Sequence, residues 1–179
     1  MRFVLIDQLI ELEPGTRAVA RVTFPPHHEI FEDHFPGLPI VPGVLVVEAM
    51  GQAGGWLIAA TLGFSRWPLL TMIDGAKFRR LVNPGDELRL EVALRSARER
   101  DFEVSAQAKV GSERVAGARL YFHAFEFSPS RPQEGNFEAW VHSTFRAIGG
   151  EDLLARADRQ SSERPAGVDP MREIGRAHV

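Results

Sequence analysis

The 179-residue chain has no cysteine, which excludes disulfide staples, thiolate nucleophiles and cysteine-ligated zinc. It also lacks a charge imbalance. Its 21 basic residues stand against 24 acidic ones, a net charge of -3, and the basic residues are scattered along the chain. Binding nucleic acid by phosphate neutralisation needs the opposite, so DNA and RNA are not expected partners. No secretory leader is legible, because acidic residues interrupt the apolar run of MRFVLIDQLIELEPG too early. A cytoplasmic location is the expectation. Only one long apolar run occurs, Gly43 to Leu62, with a single charge. It has about the length of a bilayer crossing, yet Glu48, Gln52 and four glycines are unlike one. A helix enclosed by a sheet has the same all-round apolar character, so no membrane span is expected.

What is present is enough apolar residue, 44%, for one respectable core. FVLIDQLIEL, the turn EPG and the alternating TRAVARVTF predict a hairpin. A Pro/Gly-rich loop from Pro25 leads to Pro42, which suits the start of a helix because its missing N–H costs nothing in a first turn. The long apolar helix follows. From Trp67 onward the period changes to two: PLLTMIDGAKFRRLV, ELRLEVALRSA, DFEVSAQAKV and ERVAGARLYFHAF, separated by NPGD and GS turns. Leu88, Leu90, Val92 and Leu94 share one face of such a strand, and Glu87, Arg89, Glu91 and Arg95 the other. The expected pattern is hairpin, buried helix and antiparallel meander, an α+β fold in which a curved sheet wraps one helix. A short sheet needs a second subunit to finish covering it.

After residue 127 the character changes. SPSRPQEG reads as a linker and NFEAWVHSTFRAI as an amphipathic helix with Phe137, Trp140, Val141, Phe145 and Ile148 in one stripe. The Arg/Asp/Glu/Ser-rich stretch beyond Gly150 has few large apolar residues, the composition of a partly disordered tail. The expected division is therefore a main domain over 1–127 and an extension over 128–179.

The chemistry-bearing stretch is HFPGLPIVPGVLVVEAM, from His34 to Met50. Glu48 and Gln52 are four apart on a helix, so the amide can hold the carboxyl in one orientation. Apolar surroundings disfavour a charged carboxylate, which suits a group that delivers a proton. His34 supplies a complementary base. At the helix N-terminus the N–H groups of Gly43 and Val44 have no helical partners and can bond a carbonyl oxygen that gains charge. Base, acid and oxyanion site together point to removal of a proton alpha to a carbonyl with loss of a beta group, an elimination. HHEIFEDH offers His27, His28, Glu32, Asp33 and His34 as metal ligands, but their spacing fits no compact ligand set. No metal or other cofactor is expected. Gly51, Gly54 and Gly55 read as positions that permit close helix packing at a dimer contact, and Lys77, Arg79 and Arg80 as a solvated strand edge, with a basic rim that steers an acidic partner as their other reading.

HFPGLPIVPGVLVVEAMGQA, with AKFRRLVNPGDELRLEV downstream, closely resembles the (3R)-hydroxyacyl-acyl carrier protein dehydratases, which have the hotdog fold. The resemblance spans roughly Phe3 to Phe125. It implies that His34 removes the C2 proton, that Glu48 protonates the leaving C3 hydroxyl, that the Gly43 N–H meets the thioester carbonyl beside Val44, and that Gln52 orients Glu48. It also implies an acyl carrier protein as the acidic partner that brings the substrate. A homodimer would be the minimum active unit, with one site's two catalytic residues drawn from different subunits, and a trimer of dimers is left open. Isomerising relatives usually carry aspartate at the Glu48 position and cysteine at the Val44 position, so this chain resembles the dehydratase-only branch. Acyl chain length is expected to depend on how Phe64, Trp67 and Met72 close the acyl tunnel. Two alternatives stand beside this reading: a hotdog thioesterase, and a non-catalytic acyl- or carrier-binding subunit of a synthase. Glu32 and Asp33 replace a more usual uncharged pair, and the tail after Ser128 has no counterpart in the family pattern.

Overall fold

The computed structural model describes residues 3–126 and 132–162. Two strands form the first hairpin, β1 (Gln8–Glu13) and β2 (Arg17–Thr23), and a single helical turn, α1 (Ile30–Asp33), precedes the long helix α2 (Gly43–Thr61). Four strands follow: β3 (Arg66–Phe78), β4 (Glu87–Arg98), β5 (Asp101–Val110) and β6 (Glu113–Glu126). Every pairing is antiparallel, and the strand order is β1-β2-β4-β5-β6-β3. This is the expected sheet, with one correction. The meander is β4-β5-β6 alone, while β3 crosses to the far edge and pairs with β6, Leu70 opposite Phe122. Strand period does not encode that choice, because an edge strand and a central strand alternate alike.

The sheet closes around α2, in which 14 of 19 residues are buried. Leu88, Leu90, Val92 and Leu94 point at the helix as their alternation predicts, each at most 7% exposed. Its burial inside the sheet accounts for the apolar composition of α2. The helix ends in a Schellman turn: Phe64 N–H bonds the Ala59 carbonyl and Gly63 N–H the Ala60 carbonyl, at 2.9 and 3.1 Å. Gly63 takes the positive φ, 57°, that this turn requires. The chain thereby turns back onto β3 and delivers the Phe64 ring beneath the C-terminal extension.

The described part of that extension is helical. A helix, α3 (Pro132–Ala147), starts within the stretch read as a linker, and the segment after Ile148 forms a second helix, α4 (Gly150–Ser162). The rest of the expected linker, and the tail from 163, lie outside the described residues. Val141, Phe145 and Ile148 are at most 4% exposed. Phe145 packs on Phe64 and Trp56 with ring centroids 4.8 and 5.6 Å away. Truncating such a buried ring costs about 3–5 kcal/mol, which is the scale of what holds α3 in place. Helix α4 packs along β1, where Leu153 and Leu154 join the core margin and the Leu9 N–H donates to the Ile148 carbonyl. Among the described residues the extension covers the β1 edge of the sheet and not the β3 edge.

Candidate active site

The loop that carries His34 is folded by Pro36 and Gly37. Phe35 and Leu38 exchange backbone hydrogen bonds of 2.9 and 3.0 Å across them, and Gly37 has φ 79°. Proline and then a positive-φ glycine are what a type II turn demands. The Ile40 N–H returns to the His34 carbonyl, and the Val41 N–H bonds the Val82 carbonyl, so both ends of the turn are fixed. His34 is half-buried, its ring stacked on Phe35 at 4.1 Å, and the His34–Phe35 peptide is cis.

Pro42 then opens α2. The first helical donors are Leu45 and Val46, both to the Pro42 carbonyl, at 3.0 and 3.4 Å. The amides of Gly43 and Val44 lie ahead of them, free of the helical ladder as the sequence predicts. A Cβ on Gly43 would come within 2.9 Å of the Phe78 ring. Val44 is 74% exposed at this end of the helix.

One turn further, Glu48 accepts a hydrogen bond from Gln52 Nε2 at 2.9 Å. Gln52 also donates to the Phe3 carbonyl and accepts from the Leu5 N–H, both at 2.8 Å. It therefore fixes the carboxyl and ties the N-terminal segment to α2, a second duty that helical spacing alone does not reveal. Glu48 is half-buried rather than sealed in the core. It lines a cavity of about 570 Å³ between α2 and β3, together with Gln52, Gly51, Gly55, Trp56, Trp67, Leu70 and residues of α3. That volume lies within the range of small-molecule sites.

Neither His34 nor Gly43 lines this cavity. Of the residues expected to close the acyl tunnel, Trp67 is in the cavity wall and Phe64 is packed under α3, whereas Met72 is 52% exposed on β3. The glycines divide their work: Gly54 faces Phe122 so closely that a Cβ there would lie only 3.1 Å from the ring, whereas Gly51 and Gly55 face the cavity. Arg80 is engaged by Glu113 at 3.0 Å and Asp86 at 3.6 Å, while Lys77 and Arg79 are exposed on either side of Phe78. His123 is held by Asp101 at 2.7 Å. Among the described residues no three His, Asp or Glu side chains gather as a metal site.

A curved antiparallel sheet around one long helix is the hotdog fold, and the solved structures similar to this chain agree. The ApeI:P dehydratase heterocomplex of Xenorhabdus doucetiae has a TM-score of 0.54 at 16% identity, covering 68% of this chain and 83% of that one. The fluoroacetyl-CoA-specific thioesterase FlK matches with a TM-score of 0.55 at 16% identity over 64% and 96%. A dehydratase and a thioesterase share the architecture, so the fold does not choose between them. Sequence does choose. Residues 1–119 match the FabA-like domain. The 3-hydroxyacyl-acyl-carrier-protein dehydratase FabZ of Symbiobacterium thermophilum is 43% identical over 131 residues, 73% of this chain and 92% of that protein. The chain belongs to the FabA-like family, among its 3-hydroxyacyl-acyl-carrier-protein dehydratases.

Proposed function

We propose that the chain dehydrates (3R)-hydroxyacyl thioesters, carried on an acyl carrier protein, to trans-2-enoyl thioesters, at a site shared between two subunits. Glu48 carries this reading: it is a single carboxyl oriented by Gln52 in the wall of an otherwise apolar cavity. His34 of one subunit removes a proton from C2, the electron pair forms the C2–C3 double bond, and the C3–O bond breaks. Glu48 of the other subunit protonates the departing oxygen, which leaves as water. The Gly43 N–H, at the positive end of α2, bonds the thioester oxygen while charge builds on it. Proton return from the imidazole to the carboxylate restores the site.

The dimer is supported by the open edge of the sheet. β3 runs 13 residues, pairs on one side only among the described residues and exposes Leu69, Met72, Ile73 and Phe78 to between 47% and 54%. An apolar edge of that length is a template for a second strand. Lys77 and Arg79, flanking the ring that lies on Gly43, suit steering of an acidic carrier towards the helix N-terminus. Hydration of a short trans-2-enoyl thioester tests the activity in reverse. Loss of enoyl absorbance is the expected outcome. Release of free thiol would make the chain a thioesterase, and neither signal would make it a binding subunit.

A further inference from the structure

The cavity beside Glu48 is built as a groove with a wall at one end. Glu48, Gly51, Gln52, Gly55 and Trp56 all line it, and their spacing puts them on one face of α2. Gly51 and Gly55 supply no side chains. A Cβ there would already touch the strand side chains, 3.5 Å from Leu70 and 4.0 Å from Pro68, so the cavity runs as a narrow lane along the helix, with the two bare glycines in its wall. It starts at the acid and ends at the Trp56 indole, eight residues or about 12 Å along the helix.

The end wall comes from the extension. Trp56 meets Trp67 at 5.2 Å, Trp67 meets Phe137 at 5.4 Å, and Phe137 stacks on Trp140 at 5.5 Å. All four line the cavity. Helix α3 is clamped into the core by Val141, Phe145 and Ile148, while Phe137 is half-buried and Trp140 is 43% exposed. The match to the FabA-like domain ends at residue 119, so two of the four rings stand outside that shared region.

We propose that Phe137 and Trp140 of α3 form the far wall of the acyl site and set the longest acyl chain it accepts. This rests on the dehydratase reading, and the occupant is the hydrocarbon tail beyond C3. With C3 at Glu48 the lane holds about ten further carbons, taking roughly 1.2 Å per bond of an extended chain. Longer tails meet the stacked rings.

The test measures kcat/KM for hydration across a graded series of trans-2-enoyl thioesters, from crotonyl to hexadecenoyl, with the full chain. For Phe137→Ala, Trp140→Ala and the double variant, the hexadecenoyl-to-crotonyl ratio within one preparation should rise at least about tenfold. Gly55→Val, which fills the lane about 10 Å from Glu48, just short of the rings, and leaves the sequence of α3 unchanged, should lower the same ratio. Ratios unchanged in all four variants would overturn the wall. A wild-type chain that hydrates no member of the series would instead overturn the dehydratase reading beneath it, so the two failures are told apart.

Discussion

In the proposed reaction Glu48 delivers a proton, which requires one orientation; Gln52 holds it through a 2.9 Å bond while its other two bonds anchor it to Phe3 and Leu5. Glu48→Gln keeps the shape and an acceptor for that bond but removes the acidic proton. Its kcat/KM for enoyl thioester hydration should fall by roughly a hundred- to ten-thousand-fold, with the unfolding midpoint little changed. Parental turnover by this variant would remove Glu48 from the reaction. The Glu48–Gln52 pair and the start of α2 were legible in HFPGLPIVPGVLVVEAM and the residues just after it, because helix spacing places Glu48 beside Gln52 and proline marks the helix start. Gln52's hold on the N-terminal segment was not legible, since it joins residues 47 and 49 positions apart.

The strands carry a charged cluster on their outer face that bears on stability. Arg89 bonds Glu11 at 3.0 Å, and with Arg17 beside it holds that carboxyl below the usual range. Lys109, at 2.8 Å, and Gln107 do the same for Glu91. Burial opposes the shift in both. A carboxylate whose folded pKa is lowered stabilises the fold fully above the unfolded value, near about 4.3 for glutamate. That contribution is lost as pH falls from there through the lower folded value. The urea midpoint should therefore drop on acidification below that point, and Glu91→Gln should flatten the drop. An equally steep acid slope in the variant would assign the effect elsewhere. Alternation showed which residues face outward, as Glu87, Arg89 and Glu91 do. It did not show that β2 lies between β1 and β4, which is what brings Glu11, Arg17 and Arg89 together across three strands.

At the scale of the whole molecule, the two ends of the sheet differ. Helix α4 lies along β1, whereas β3 presents an apolar open edge. His34 and Gly43 stand outside the cavity that Glu48 lines. A site assembled across β3 explains both facts, and it makes a sharp prediction. Co-expression of His34→Ala and Glu48→Gln chains should restore activity that neither variant has alone, because one of the two sites in a mixed dimer then holds both intact residues. No recovery, with mixed dimers confirmed by mass, would place base and acid in the same chain.

Local pattern determined the elements of this protein. Period-two runs became strands, an all-round apolar run became the enclosed helix, and a proline marked where that helix starts, because backbone geometry and hydrophobic alternation act between near neighbours. The third dimension decided the rest. Only packing placed β3 at the rim, folded the polar stretch after Gly150 into a helix against β1, and turned Phe137 and Trp140 towards the cavity. These are contacts between distant parts of the chain, and their energy comes from surfaces that meet only once the fold has formed.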